Sequence, residues 1–215
     1  MRRFARYLPL CLLALGCVQF ASAQSQFDVN LGFGAFHDSA QKTGLDGSGA
    51  FCTIGTSGCT AAPALSGFFM GFGGTLMLKK HYGVGGQYVF TPGKSDYGPL
   101  QYRQHFYNID GVYAPINEKK VSVQLLGGIG GAKSSFSYTQ SSCVGTAVCA
   151  KQTIPFASSN HFQVHAGLAV QLFVTEHVFI KPEFDFHFVP GLKDQFGSNA
   201  VPGGMIWLGY SWGDR

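Results

Sequence analysis

Charge is what this chain has least of. Asp, Glu, Lys and Arg make up 12% of its 215 residues, about half the share usual in soluble domains. A water-facing surface on a chain of this size needs more. The basic residues form no clustered stripe, which excludes the footprint of a nucleic-acid binder. Metal-site spacings are missing too. Cys52, Cys59, Cys143 and Cys149 stand in pairs with gaps of six and five residues and no histidine close by, unlike a zinc knuckle. The run Gly128-Ile129-Gly130-Gly131-Ala132-Lys133 is glycine-rich. It leads into Ser-Ser-Phe-Ser-Tyr-Thr, a strand or loop, whereas a phosphate-binding loop must open a helix. No cofactor is expected. A stretch without charge from Thr60 to Leu78 is long enough for a membrane helix, but Pro63 and the glycines at 67, 71, 73 and 74 argue against one.

What is abundant is glycine (30 residues) and phenylalanine (20), arranged with a period of two. Phe162, Val164, Ala166, Leu168, Val170, Leu172 and Val174 alternate with His161, Gln163, His165, Gly167, Ala169, Gln171 and Phe173. Such alternation puts the two sets on opposite faces of a strand. Seven further segments repeat it, beginning near Phe27, Phe68, Tyr82, Tyr107, Val121, Val178 and Gly204. Short spacers are expected at Lys79 to His81, Ala114 to Lys120 and Thr175 to His177. Long ones are expected over His37 to Ser66, Thr91 to Gln101, Ser134 to Ser159 and Val189 to Pro202. Strands of about ten residues with long connections at one end and short ones at the other predict an all-β, eight-stranded antiparallel up-and-down transmembrane barrel.

The polarity of the faces sets their direction. One carries aliphatic and aromatic residues. The other carries Gly, Gln, Asn, His and a few acids, too weakly charged for a solvated exterior and suited to a narrow lumen. Glycines there are expected to leave room for larger Gln, His and Lys side chains. Aromatics sort towards strand ends, with Phe27, Tyr82, Tyr113, Tyr210 and Trp212 at the short-turn end and Phe68, Phe90, Phe162 and Phe188 at the other, as two membrane-interface girdles.

The N-terminus reads as an export signal. Arg2, Arg3 and Arg6 precede an apolar run from Leu8 to Phe20, and Ala21-Ser22-Ala23 supplies small residues for cleavage. The expected division is a signal peptide over 1–23 and a barrel domain over 24–215. A rival lipoprotein cut before Cys17 lacks the usual aliphatic residue at Ala14. In an exported chain, Cys52, Cys59, Cys143 and Cys149 are expected to form disulfides. Three pairings are open, and the local one would staple the middles of the two longest loops.

An export signal, eight amphipathic strands and an aromatic-rich last strand resemble the OmpA-like and opacity-type outer-membrane barrels of Gram-negative bacteria. Tyr107-Asn108-Ile109-Asp110-Gly111-Val112-Tyr113 and Ile180-Lys181-Pro182-Glu183-Phe184 are similar to strands of that superfamily. The resemblance implies an outer-membrane location and three kinds of partner: outer-membrane lipid, the barrel-assembly machinery and periplasmic chaperones. It also implies a non-catalytic protein whose four outer loops meet an extracellular ligand or serve the envelope.

Asp28, Asp110, His165, Lys181, Glu183, Asp185 and His187 form the candidate polar lumen. Intramembrane charges are costly and normally paired, so these read as a salt-bridge network filling the barrel. A narrow ion path through them, a small porin-like channel, is the alternative. His161 and His165 share a strand face about 13 Å apart, too far to hold one ion unaided. A lipid-modifying barrel enzyme would need a Ser–His pair and an acid on the outer wall, where His105 stands with little other polar company.

Overall fold

The computed structural model describes residues 26–38, 43–46, 48, 51–53, 55–61, 66–97, 100–144, 148–191 and 198–213. The expected signal segment lies outside them. Among the described residues twelve strands are found: β1 (Gln26–Phe36), β2 (Thr43–Leu45), β3 (Phe51–Thr53), β4 (Thr60–Ala61), β5 (Gly67–Lys79), β6 (Tyr82–Phe90), β7 (Ser95–Tyr97), β8 (Leu100–Asn117), β9 (Val121–Val144), β10 (Val148–Phe173), β11 (Val178–Phe188) and β12 (Ala200–Trp212). Eight of these make a continuous antiparallel wall in the order β1-β5-β6-β8-β9-β10-β11-β12. It closes on itself through β12 against β1, from Phe27↔Trp212 to Phe36↔Gly203. The short β7 does not interrupt the ring, because β6 pairs directly with β8 from Tyr82↔Tyr113 to Phe90↔His105. The uncharged stretch from Thr60 to Leu78 is extended where it is described: Thr60–Ala61 is β4, and Gly67 onwards is the barrel strand β5, paired on both sides. The fold is an eight-stranded up-and-down barrel.

The alternation dictates the wall. In β11 the burial pattern switches at every residue, with Phe179, Lys181, Glu183, Asp185 and His187 inside and Ile180, Phe184, Phe186 and Phe188 outside. The outward faces of the other strands bring Leu31, Phe72, Ile109, Ile129, Leu168 and Leu208 to the surface. Such a belt of exposed Leu, Ile and Phe is the lipid-facing surface of a membrane barrel. Aromatic rings meet both across neighbouring strands and along single strands. At the short-turn end Phe27 stacks on Trp212 at 5.8 Å, Tyr82 meets Tyr113 at 5.2 Å and Tyr210 meets Trp212 at 4.6 Å. At the other end Phe68, Phe162 and Phe188 are exposed, and Phe90 meets Tyr88, which stacks on Phe72 further into the wall.

The long connections differ from expectation. Ser134 to Ser159 is not a loop: β9 and β10 run on as a two-stranded ribbon to Val144 and Val148. Its Ser, Thr and Gln residues pair as extended strands, as in Thr139↔Thr153 and Gln140↔Gln152, with one register shift between Pro155 and Ala157. Polarity marks the segment as loop, while its pairing continues the strands. The segment His37 to Ser66 holds a small sheet of β2, β3 and β4. The segment Thr91 to Gln101 holds β7, hydrogen-bonded to the start of β8. At the short end β8 continues to Asn117 after a register shift between Tyr113 and Ile116, so that turn is tighter than expected.

The Cys52–Cys59 disulfide closes the loop after β3, with a Cα separation of 5.8 Å. Gly55 and Gly58 inside it have φ of 104° and 82°, a left-handed conformation open to glycine. Cys143 and Cys149 are Cα partners in the β9–β10 ribbon; their side chains lie outside the described part of the structure.

Candidate functional site

Inward side chains fill the lumen in three layers. Nearest the short turns, Gln26 donates to both oxygens of Asp28 at 3.0 and 3.1 Å, and Gln171 donates to Asp28 Oδ2 at 3.1 Å. Gln124 donates to Gln171 Oε1 at 2.8 Å. Asp28 is thus held by amide donors from β1 and β10. Beside this chain lies a small apolar cluster of Met77, Val112, Ala114, Leu126 and Ala169.

The middle layer carries most of the buried charge. His165 Nδ1 is 2.8 Å from Asp110 Oδ1, and its Nε2 is 3.0 Å from Asp185 Oδ1. A ring with a carboxylate at each nitrogen has the bonding pattern of an imidazolium, both nitrogens donating. Asn108 bonds Asp110 and also approaches His165 Nδ1 at 3.1 Å. Lys181 Nζ lies 2.7 Å from Glu183 Oε2, and Gln87 donates to Glu183 Oε1. Lys181 also sits over the Trp207 ring, 5.7 Å from its centre. Strands β6, β8, β10 and β11 each contribute, and pairing across the narrow lumen compensates charges that would be expensive alone.

The third layer, towards the long connections, is not polar. Phe36, Phe69, Val89, Phe106, Ala132, Val189, Val201, Met205 and Trp207 form one buried apolar cluster. Phe36 meets Phe69 edge-on at 4.9 Å and Phe106 at 5.6 Å. His187 belongs here as much as to the charged layer. It stacks on Phe106 at 4.6 Å and on His165 at 4.8 Å, and neither of its nitrogens has a hydrogen-bond partner among the described residues. It therefore packs as a ring, joining the two layers.

This corrects the expected use of the glycines. A Cβ at Gly32 or Gly71 would run into the Trp207 ring, at Gly203 into Phe36, and at Gly209 into Phe179. These glycines make room for aromatic rings. The expected service to polar groups is seen at Gly128, against Asp110, and at Gly73, where a Cβ would lie 2.8 Å from Asn30 Oδ1. Strand parity alone could have placed Trp207 inside, between the outward Ile206 and Leu208; which glycines face it is set by register across two strand pairs.

The seven candidate residues thus fall in two neighbouring groups and one separate one. Asp110, His165, Asp185 and His187 are in direct contact, Lys181 and Glu183 pair beside them, and Asp28 stands apart in the lower layer. No group of three His, Cys, Asp or Glu side chains among the described residues is arranged to hold a metal ion.

No protein-family model matches the chain, and no curated protein matches it in sequence. Solved structures do match. The attachment invasion locus protein Ail of Yersinia pestis, solved with the heparin analogue sucrose octasulfate, superimposes with a TM-score of 0.52 at 13% identity, over 88% of this chain and 99% of that one. A major outer-membrane protein of Thermus thermophilus gives 0.52 at 13%, over 87% and 99%. Neisserial surface protein A gives 0.50 at 12%, over 87% and 97%. At these identities the likeness concerns the fold, and the fold they share is that of bacterial outer-membrane barrels.

Proposed function

We propose that this chain is a non-catalytic outer-membrane protein that presents its outer connections, above all the β9–β10 ribbon, for surface interaction or envelope structure. The observation that carries this reading is the filled lumen. Charges are paired in the middle layer, and rings from Phe36, Phe69, Phe106 and Trp207 occupy the layer above it. A lumen filled in this way by described side chains favours a scaffold over a small channel. The ribbon extends beyond the last β10–β11 pair at Val164↔Phe188, bearing Phe156 exposed among Ser, Thr and Gln. Sites of recognition are commonly carried on such extensions of a rigid scaffold. Outer-membrane lipid, the assembly machinery and periplasmic chaperones are the partners that this location calls for.

Two measurements test the reading. The full chain expressed in a Gram-negative host is expected in the outer-membrane fraction, with gel mobility that changes on boiling; a soluble periplasmic product without that change would overturn it. In planar bilayers the purified barrel is expected to leave the membrane sealed. Stepwise conductance of the unaltered protein would replace the scaffold with the channel.

A further inference from the structure

Among the described residues, the outward faces of the barrel strands are apolar except at one place. On β8 the outward residues from Tyr107 to Ile116 are aromatic, aliphatic, glycine or proline, a span of about 23 Å at the usual rise and tilt. That is the height of a hydrocarbon core, so the outward positions beyond Tyr107 stand at the headgroup level of the outer leaflet. These are His105 and Arg103 on β8. In register beside His105 is the exposed Lys133 of β9, whose own partner on β10 is the outward Asn160. One row further, Lys94 donates to Ser137 Oγ at 3.1 Å.

This cluster is held in place from below. Tyr88 OH and His105 Nδ1 are 2.7 Å apart, and Phe90 stacks near the same imidazole. Tyr107 lies across the bare backbone of Gly131 and donates to Asn160 Oδ1 at 2.9 Å. Arg103 stands two residues before His105 on the same outward face of β8, and Lys133 is the register partner of His105 on β9. Neither Lys133 nor Arg103 forms an ion pair with a carboxylate among the described residues; Asp96 of β7 is met by Gln101 at 3.4 Å. At the corresponding end, the outward wall of β1, β5 and β11 offers Ala35, Phe68 and Phe188, without charge. Among the described residues, Arg103 and Lys133 thus gather on one part of the rim without an ion-paired carboxylate.

We propose that Arg103, His105 and Lys133 form a binding site on the outer wall for the phosphorylated headgroup of an outer-leaflet lipid, whose acyl chains lie along Tyr107, Ile109, Ile129 and Phe162 below. A phosphate accepts hydrogen bonds from the Arg103 fork and the Lys133 ammonium. Asn160 and the free nitrogen of His105 offer further polar contacts to a sugar. Among the described residues, the side-chain contacts of His105 are with Tyr88 and Phe90 and none is with a carboxylate, which suits binding. This inference rests on the membrane-barrel reading above.

The test uses the full chain refolded in detergent, with lipid retention counted by native mass spectrometry. The probes are lipid A carrying two phosphates and the same lipid with both removed. The phosphorylated form is expected to be retained and the dephosphorylated form lost. At about fivefold per cationic side chain, Arg103→Gln with Lys133→Gln should weaken retention roughly thirtyfold. The exchange Arg103→Lys with Lys133→Arg should keep most of it. Lys119→Gln with Lys120→Gln, removing equal charge at the short-turn end, should change nothing. Equal retention of both lipids, or by the Gln variant, would overturn the site. So would competition by inorganic phosphate at the lipid's own concentration, which would make the ligand a free anion. A wild-type chain without heat-modifiable mobility would instead bring down the barrel reading itself, a result visible before any lipid is added.

Discussion

The middle and upper layers of the lumen are built by the same strands with the same alternation, yet they are filled in opposite ways. The middle layer uses charges: Asp110 and Asp185 on His165, and Glu183 on Lys181. The upper layer uses rings: Phe36, Phe69, Phe106 and Trp207, of which Phe36 and Trp207 are seated over glycines of neighbouring strands. One side of the comparison depends on partners being present, because a buried charge left alone is costly. The other depends on space being absent, because a ring fits only where the neighbour has no Cβ. His187 touches both, stacked between His165 and Phe106.

The largest effect should come from breaking a charge pair. Glu183→Ala leaves Lys181 buried without its carboxylate and is expected to cost about 3–5 kcal/mol. The readout is the urea midpoint for unfolding from lipid vesicles. The double change Lys181→Met with Glu183→Leu should recover most of that loss; if it is as damaging as the single one, the middle layer is not held by charge pairing. In the upper layer Trp207→Ala removes a ring with no exposed surface and should cost a similar 3–5 kcal/mol or slightly less. It should also give the otherwise sealed barrel a measurable conductance, and a bilayer that stays closed would show that the rings are not the seal.

A smaller effect isolates the role of the glycines. Gly32→Ala should cost about 1–3 kcal/mol by overpacking against Trp207. In the Trp207→Ala background the same change should cost little, a coupling of about 0.5–3 kcal/mol between contacting sites. Additive costs would mean that Gly32 serves the backbone and not the ring. The smallest effect is expected outside the barrel. Cys52→Ser opens the disulfide in the loop after β3 and should leave the barrel's midpoint within about 0.5 kcal/mol, while limited proteolysis near Gly55 and Gly58 becomes faster.

Much of this architecture is legible in the residues. The parity of β11 assigns Lys181, Glu183, Asp185 and His187 to one face and Phe184, Phe186 and Phe188 to the other without any coordinates. The β9–β10 ribbon is hidden because Ser, Thr and Gln read as loop by polarity, although Ser134 to Ser142 are extended and paired with β10 on both sides of the register shift at Pro155 and Ala157. The aromatic layer is hidden for a different reason. Phe69, Phe106 and Trp207 lie far apart in the chain, and each looks like one more aromatic in a strand; only their inward parity separates them from the lipid-facing ones. The outer-wall cluster is half visible, since His105 stands out but Lys133 lies on another strand.

The strand count, the direction of each face and the set of residues that point inward are all written in the chain, because a period of two is a local property. Which inward residues meet is settled in three dimensions. Register across strands puts Gly32 under Trp207, His165 between Asp110 and Asp185, and Lys133 beside His105. Those are contacts between positions tens to more than a hundred residues apart, and closing the barrel is what brings them within reach.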